Sequence, residues 1–194
     1  TTIWGTSSSW TLTALPLFVW MGEILFRTKL SENLFKGLAP WMSRLPGGLV
    51  HVNVVGCALF AAISGSSAAT VATVGKMSIP ELRKRNYPEK LLLGSLAGSG
   101  TLGLLIPPSI ILIIYGVTVQ ESIAKLFIAG IIPGIMIALI FMSYVIVWSL
   151  INKKSMPKST ENSSFLEKIK KSKQLMPVVI LILAVIGSIY TGIA

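Results

Sequence analysis

The chain has 194 residues, of which 53% are hydrophobic and 12% are charged, and its mean hydropathy is +0.76. This composition excludes an ordinary water-soluble domain, which carries about twice that charged fraction. The formal net charge of +10 would suggest nucleic acid in a soluble protein, but here the basic residues occupy short segments between apolar runs, as in cytoplasmic loops. We therefore predict a polytopic membrane protein that contacts anionic lipid and has no nucleic-acid site.

Cysteine and histidine are too scarce for a disulfide framework or a metal centre. Cys57 is the only cysteine and is predicted to pack as a small hydrophobic residue. His51 is the only histidine and has no partner at ligand spacing, so we expect neither an enzyme nor a bound cofactor. Residues 1–9 lack an initiating methionine and any basic residue, which does not fit a signal peptide. We expect a piece of a longer chain.

The first predicted elements are a membrane span at 10–26 and, within the basic segment 27–44, a helix that lies in the membrane interface. Pro40 is expected to kink or end this helix. Glu23 is either a functional intramembrane acid or the partner of Arg27, one turn further on. The interfacial helix is predicted from apolar residues at helical spacing: Leu34, Phe35, Leu38, Trp41, Met42 and Leu45.

The next apolar run, 49–79, is too long for one membrane crossing and too short for two. As one helix it would measure about 46 Å, against a hydrocarbon core of about 30 Å. Its middle, residues 64–67, reads SGSS, which is a poor helix interior and a good turn with helix caps. We predict a re-entrant hairpin of two half-helices, about 15 and 12 residues long, whose tip lies near the midplane.

A second apolar run, 91–119, contains two consecutive prolines, Pro107 and Pro108. They remove two backbone donors and disfavour helical geometry in the residue before them, so we predict a membrane helix broken near its middle. The remaining predicted elements are a long span at 126–151, a lysine-rich cytoplasmic loop at 152–173 and a last span at 174–194.

The distribution of basic residues supports the hairpin. If residues 49–79 enter and leave on the same side, the basic segments 27–46, 76–90 and 152–173 all face the cytoplasm, as the positive-inside rule requires. A single crossing would place the first two on opposite faces. The segment 118–125 and the N-terminus then lie outside.

Two helix breaks at membrane depth predict a transport site. Unpaired backbone groups there cost several kcal/mol each, roughly, unless they face protein or a watery cavity. Broken helices offer carbonyl oxygens to cations and helix N-termini to anions. No lysine or arginine is predicted at the depth of the tip, so we expect an anionic substrate to be held without a salt bridge, by helix N-termini and the hydroxyls of Ser67, Thr70 and Thr101.

Packing alone is the simpler explanation for individual small residues. Serine, glycine and alanine let helices approach closely in lipid, and Gly94 with Gly98, and Gly130 with Gly134, have the G-x-x-x-G spacing that predicts such contacts. Packing does not explain two backbone breaks. The G-x-G-x-x-G pattern that begins at Gly98 follows no strand, so nucleotide binding is not expected.

Several ordered motifs resemble one transporter family. GGLVHVNVV, FAAISGSSAATVATVG, GTLGLLIPPSI and IIYG, with the flanking ALPLFVWMGEIL and LFIAGIIPGIM, look like the large membrane subunit of tripartite ATP-independent periplasmic (TRAP) transporters over about 14–144. The resemblance implies a multi-pass protein of the bacterial inner membrane that imports organic acids, such as C4-dicarboxylates, with sodium. It also implies a small membrane subunit and a periplasmic binding protein as partners.

The resemblance further implies an elevator-type, all-α architecture with inverted repeats, of which this chain is one half, since the family's subunit is about twice as long. Its predicted parts are 1–46 (first span and interfacial helix), 47–151 (half of the transport domain), 152–173 and 174–194. Another ion-coupled carrier or antiporter with the same broken helices is the alternative. By resemblance, one sodium ion lies between the tip and the facing break, at Ser64, Gly65, Ser66, Gly103, Ile106, Pro107 and Ser109.

Overall fold

The computed structural model describes residues 14–28, 30–157 and 165–191. Helices account for 83% of the structure, and the described residues include no β-strand. The predicted all-α fold is therefore confirmed.

Nine α-helices and three short 3₁₀ helices occur in the described residues. In chain order the α-helices are α1 (Ala14–Arg27), α2 (Leu30–Met42), α3 (Val50–Ser64), α4 (Ser67–Lys84), α5 (Glu89–Gly100), α6 (Ile110–Val119), α7 (Ile123–Ile151), α8 (Phe165–Ser172) and α9 (Met176–Tyr190). The 3₁₀ helices are Thr101–Leu104, Lys153–Ser155 and Lys173–Leu175. Among these elements α7 alone is long and apolar enough to cross a membrane, judged by length and composition.

Helices α1 and α2 precede the hairpin. The predicted pair on α1 is present, since Arg27 Nε lies 2.8 Å from Glu23 Oε1. On α2, Pro40 does not end the helix at its own position, because the helix continues for two more residues. Leu34 and Leu38 are buried against the rest of the protein, and this apolar contact stabilises the last turn despite the proline.

Helices α3 and α4 form a hairpin with only two residues between them. Gly65 has the left-handed conformation (φ +59°), and its N–H donates to a carbonyl of the last turn of α3. Ser66 is extended and caps α4 through its side chain, which accepts from Ala69 N. The second helix is longer than predicted, with 18 residues that run through Pro80. Basic residues that we assigned to the loop form its last turn, where they interact favourably with the helix dipole.

The second predicted interruption begins before the prolines. Helix α5 ends at Gly100 and a 3₁₀ turn follows, so the chain leaves α-helical geometry at Thr101 rather than at Pro107. Residues 105–109 then connect this turn to α6. Helix α7, by contrast, runs without interruption through Pro133.

The segment predicted as the cytoplasmic loop 152–173 contains a short helix, α8, at Phe165–Ser172. Ser172 Oγ accepts a hydrogen bond of 2.8 Å from Trp41 Nε1, and Lys168 Nζ lies 5.6 Å from the centre of the Trp41 ring. The sequence prediction weighed only the lysines of this segment. Its apolar residues at i and i+4, Phe165 and Ile169, make the segment amphipathic.

Helix α3 lies at the centre of the structure. Nearly all of its side chains are buried, whereas Ile132 and Ile151 on α7 are each 76% exposed. A long apolar helix exposed to this extent needs lipid or further protein around it. The core around α3 is formed by apolar residues from several helices: Leu34, Leu38, Val50, Phe60, Ile63, Leu82, Leu92, Leu96 and Val145.

The turn that leads into α3 meets the C-terminal end of α7. Gly47 has φ +102°, and a Cβ atom placed on it would lie 3.1 Å from Ser149 Oγ. At the same corner, Tyr87 Oη from the loop after α4 accepts a hydrogen bond of 3.1 Å from Leu49 N. Both ends of the hairpin therefore lie next to each other.

Candidate functional site

The two helix interruptions contact each other, and we call residues 64–67 and 101–109 together the two-break site. The N–H of Ile110, the first residue of α6, donates to the carbonyl of Gly65 over 3.3 Å. A Cβ atom placed on Gly65 would lie 2.8 Å from the carbonyl oxygen of Pro108. Glycine is needed at this position both for its positive φ and for this close approach.

A second contact joins the 3₁₀ turn to the first residues of α4. A Cβ atom on Gly103 would lie 2.8 Å from the backbone nitrogen of Ser67 and 3.0 Å from the carbonyl carbon of Ser66. Any side chain at Gly103 would therefore push the turn away from the N-terminus of α4. The residues predicted for the two breaks are brought together by the fold.

Hydroxyl groups within the hairpin tip bond to one another and to its backbone. Thr70 Oγ1 donates to the carbonyl of Ser66 over 2.7 Å and lies 3.0 Å from Ser64 Oγ. Ser64 and Thr70 are fully buried. The fold therefore uses both hydroxyls to shape the tip.

The three predicted substrate-binding residues lie in different environments. The hydroxyl of Ser67 is buried and has no hydrogen-bond partner among the described residues. Thr70 lies one turn further along α4 and points into the tip. Thr101 is exposed, and its hydroxyl donates to the carbonyl of Gly98 over 2.7 Å. Ser67 is the one of the three whose buried hydroxyl is left to bond a ligand.

The seven residues predicted for sodium all lie in the two-break site. Within the break, Ser109 Oγ donates to the carbonyl of Leu104 over 2.7 Å, and the N–H of Ile106 donates to the carbonyl of Leu102 over 2.8 Å. Carbonyl and hydroxyl oxygens are ligands that hard cations accept. The site is therefore chemically suited to a small cation, with no carboxylate among its residues.

Helix α7 supports the break through two glycines. A Cβ atom on Gly130 would lie 2.8 Å from the carbonyl oxygen of Leu105, and one on Gly134 would lie 2.9 Å from Ile106 Cγ1. The close packing predicted from the spacing of Gly130 and Gly134 is confirmed. It places α7 directly behind the break.

The other glycine pair behaves differently. A Cβ atom on Gly98 would lie 3.2 Å from the ring of Phe141 on α7, but one on Gly94 would meet no described atom within 4 Å. The packing prediction is therefore right for Gly98 and wrong for Gly94, which lies on an exposed part of α5. Gly94 consequently provides a natural control position.

A buried polar network next to the site was not predicted. Asn53 Nδ2 donates to Ser95 Oγ over 3.0 Å, and Ser99 Oγ donates to the carbonyl of Ser95 over 2.6 Å. All three residues are buried between α3 and α5. An asparagine inside an apolar run was the available signal, because a buried amide requires hydrogen-bond partners.

Histidine has a structural role here. His51 Nε2 lies 2.7 Å from the carbonyl oxygen of Pro46, in the turn before α3. The described residues contain no group of three or more histidine, cysteine, aspartate or glutamate side chains that could hold a metal ion. Chemistry at the two-break site therefore depends on backbone and hydroxyl groups.

Comparison with known proteins places the chain in a family. The family model described as "Tripartite ATP-independent periplasmic transporter, DctM component" matches residues 1–194. A C4-dicarboxylate TRAP transporter large permease protein, DctM, from Pseudomonas aeruginosa is 35% identical over 187 residues, which are 96% of this chain and 43% of that protein.

Relatives whose names contain other substrates have a similar sequence identity to this chain. An ectoine/5-hydroxyectoine TRAP transporter large permease protein, UehC, from Ruegeria pomeroyi is 32% identical over 94% of this chain and 42% of its own length. A sialic acid TRAP transporter large permease protein, SiaM, from Vibrio cholerae is 34% identical over 97% of this chain and 43% of its own. The chain spans less than half the length of these relatives, which are transport permeases and not enzymes. It belongs to the DctM family of tripartite ATP-independent periplasmic transporter permeases, a family of membrane proteins.

Proposed function

We propose that the chain is part of the large permease subunit of a sodium-coupled importer of organic acids, with the two-break site as its half of the ion and substrate site. The observation that carries this proposal is the direct contact between the hairpin tip and the facing break, through Gly65 with Ile110 and through Gly103 with Ser67. Helix termini that meet inside an apolar structure concentrate polar backbone groups where a transporter needs them.

The positions of the hairpin's two ends support a membrane placement. Tyr87 and Leu49 are hydrogen-bonded, so the basic segments before and after the hairpin lie on the same side of the bundle. With the positive-inside rule this supports a re-entrant hairpin that enters from the cytoplasm, a membrane helix broken at 101–109, and a multi-pass protein of the bacterial inner membrane.

Sodium is favoured over protons as the coupling ion. The two-break site has hydroxyl and carbonyl oxygens, and its residues include no acidic side chain. A proton-coupled site would need a titratable group, which in transporters is usually an intramembrane acid or histidine. Ser64, Ser66 and Ser109, with the backbone of Gly65, Gly103, Ile106 and Pro107, would supply the ligands of the ion.

A carboxylate would be bound by dipoles and not by a salt bridge. Lys76, the first cation along α4, is nine residues from Ser67, about 14 Å along the helix. The N-terminus of α4 and the unpartnered hydroxyl of Ser67 would meet the anion. The exposed hydroxyl of Thr101 would join them by exchanging its bond to the carbonyl of Gly98 for one to the anion. Each dipole contact contributes about 0.3 to 2 kcal/mol, so several must act together.

The partners proposed for the complete subunit are a small membrane subunit and a periplasmic binding protein that delivers the substrate. One relative, from Oleidesulfovibrio alaskensis, is named isethionate TRAP transporter permease protein DctMQ. The relatives' names cover dicarboxylate, ectoine, sialic acid and isethionate, so substrate choice varies within one permease architecture. We propose an organic acid, with C4-dicarboxylates as the first candidates.

Uptake measured in proteoliposomes tests the proposal. The full-length subunit is reconstituted with its partners, and uptake of labelled C4-dicarboxylate is followed with an inward sodium gradient, with an inward proton gradient and with neither. We expect accumulation only with sodium. Accumulation driven by protons alone would contradict sodium coupling. A sodium-driven uptake of sialic acid or ectoine that excludes dicarboxylates would keep the carrier and correct its substrate.

A further inference from the structure

A cavity of about 450 Å³ opens between α2, α4 and the segment that joins α8 to α9. It shares no residue with the two-break site. Four of its lining residues are apolar, and we call them the floor: Phe35, Ala39, Pro40 and Met77. The other six are polar or charged, and we call them the rim: Glu32, Lys36, Glu81, Arg85, Lys171 and Gln174.

Four of the charges on the rim belong to two ion pairs on different helices. Glu32 and Lys36 pair one turn apart on α2, and Glu81 pairs with Arg85 at the end of α4, with Oε1 and Nε 2.8 Å apart. Side chains of the second pair are only one third exposed. Lys171 contributes a further cation from the end of α8. The rim therefore presents two carboxylates and three cations around one apolar floor.

This mixture of charges selects the chemistry of a ligand. A purely anionic headgroup could use the three cations but would leave the two carboxylates without a ligand partner, and a neutral apolar molecule would leave all five charges unused. A zwitterion with a phosphate and a primary ammonium can use both signs, because the ammonium has three N–H donors for carboxylates. A trimethylammonium group has none. Exposed i,i+4 ion pairs contribute little to stability, so a ligand can share the charges of the Glu32–Lys36 pair at little cost.

The location of the cavity identifies the source of such a ligand. Helix α2 is amphipathic, carries Trp41 beside Lys168, and belongs to the basic side of the protein. Tryptophan and lysine together are typical of the headgroup layer. A cavity lined by both apolar and charged side chains also suits the boundary between acyl chains and headgroups.

We propose that this cavity binds the headgroup of a phosphatidylethanolamine molecule from the cytoplasmic leaflet. Its ammonium group bonds to Glu32 and Glu81, its phosphate bonds to Lys171, Lys36 and Arg85, and its glycerol lies on the apolar floor. The lipid joins the interfacial helix α2 to the second hairpin helix α4. This inference rests on the membrane placement given under Proposed function, but not on sodium coupling or on the substrate.

Lipid binding to the full-length permease in detergent tests the inference. The protein is delipidated together with its small membrane subunit and titrated with phosphatidylethanolamine, phosphatidylcholine or phosphatidylglycerol of identical acyl chains, and bound lipid is counted by native mass spectrometry. We expect phosphatidylethanolamine to bind about tenfold more tightly than phosphatidylcholine, as for charge-assisted hydrogen bonds present in only one of them. Glycerophosphoethanolamine, which lacks acyl chains, should compete for the same site.

Variants of rim residues test the contacts of the ammonium group and of the phosphate group separately. The double variant Glu32→Gln, Glu81→Gln should bind phosphatidylethanolamine and phosphatidylcholine equally tightly. Lys171→Gln should weaken the binding of both lipids, because both contain the phosphate. Lys173→Gln and Glu23→Gln are matched controls, since neither residue lines the cavity, and both should bind as the unmodified protein does.

Three results would overturn the inference: equal binding of phosphatidylethanolamine and phosphatidylcholine, tighter binding of phosphatidylglycerol than of either, or failure of the headgroup alone to compete. If the double variant does not fold, the binding of the three lipids to the unmodified protein and to Lys171→Gln still tests whether the cavity binds phosphatidylethanolamine. The readout is lipid bound and not substrate moved, so it does not depend on whether the uptake proposal holds.

Discussion

Gly103 and Ser67 approach so closely that no side chain fits between them. A Cβ atom on Gly103 would lie 2.8 Å from the backbone nitrogen of Ser67, although the two residues belong to different helical segments separated by the whole of α5. Backbone atoms of the 3₁₀ turn therefore lie directly against Ser67, the first residue of α4. The shape of the proposed ion and substrate site depends on this contact.

We expect Gly103→Ala to abolish transport without preventing folding. The added methyl group must push the 3₁₀ turn from α4, at a cost of about 1 to 3 kcal/mol, and uptake by the reconstituted transporter should fall by about tenfold or more. Gly94→Ala is the matched control, because a Cβ atom there meets nothing within 4 Å. Equal uptake by the two variants would show that the contact is not needed for transport.

Serines at the hairpin tip should set the sodium requirement. Ser67→Ala removes a buried hydroxyl that lacks an internal partner, and Ser66→Ala removes the cap of α4, worth about 0.5 to 2 kcal/mol. Both should raise the sodium concentration for half-maximal uptake, and replacing Pro107 should reduce uptake through the shape of the break. Ser143→Ala, on an exposed face of α7, is the control. Unchanged sodium dependence in all three site variants would count heavily against this site.

Cysteine labelling in intact membranes should place both ends of the hairpin on the cytoplasmic face. Cys57 is buried, so it is replaced by alanine and single cysteines are introduced at Arg44, Lys84 and Glu121, all of them exposed. An impermeant reagent should label the first two positions from the cytoplasm and the third from outside. If Arg44 and Lys84 react from opposite faces, the topology must be redrawn.

Substrate affinity should not depend on the cation nearest to the hairpin tip. Lys76 is exposed and lies about 14 Å along α4 from Ser67, too far for contact with an anion bound at the helix N-terminus. Lys76→Gln should therefore leave the KM for the carboxylate within about twofold, whereas loss of a direct charge contact costs about tenfold or more. A tenfold rise in KM would reveal a salt bridge that the structure does not indicate.

Tyr87→Phe should lower the stability of the protein, because Tyr87 joins the two ends of the hairpin. It deletes the acceptor of the Leu49 N–H and leaves the ring in place, which costs about 1 kcal/mol when the donor stays buried. A lower melting temperature of the purified subunit is the expected result. Tyr144 is exposed on α7, so Tyr144→Phe should have the melting temperature of the unmodified protein. Identical melting temperatures of both variants and the unmodified protein would exclude a stabilising role for the Leu49–Tyr87 hydrogen bond.

Local chemistry made the helix interruptions predictable. Glycine and serine at 64–67 favour a turn and a helix cap whatever surrounds them, and Pro107 with Pro108 cannot continue a helix. The interruptions occur at or near the predicted places. Whether the hairpin re-enters a membrane, and where the domain boundaries at 47 and 151 lie, stay predictions, because they depend on the bilayer and on the rest of the subunit.

Tertiary contacts account for what the sequence did not reveal. Helix α8 contacts α2 through Trp41, which donates to Ser172 Oγ and lies beside Lys168, and the lysines of the segment do not predict that contact. The 3₁₀ turn begins at Thr101, ahead of the prolines, where Gly103 fits against Ser67. Thr70 was proposed as a substrate ligand from its hydroxyl, but only the fold shows that this hydroxyl bonds to the carbonyl of Ser66.

The corner at Gly47 has a mechanical consequence. The chain enters the α3–α7 bundle and leaves it at neighbouring points, because Gly47 lies against Ser149 at the end of α7. The two covalent links between the bundle and the segments that flank it therefore lie side by side. A displacement of the bundle that pivots on this corner would leave both links almost in place.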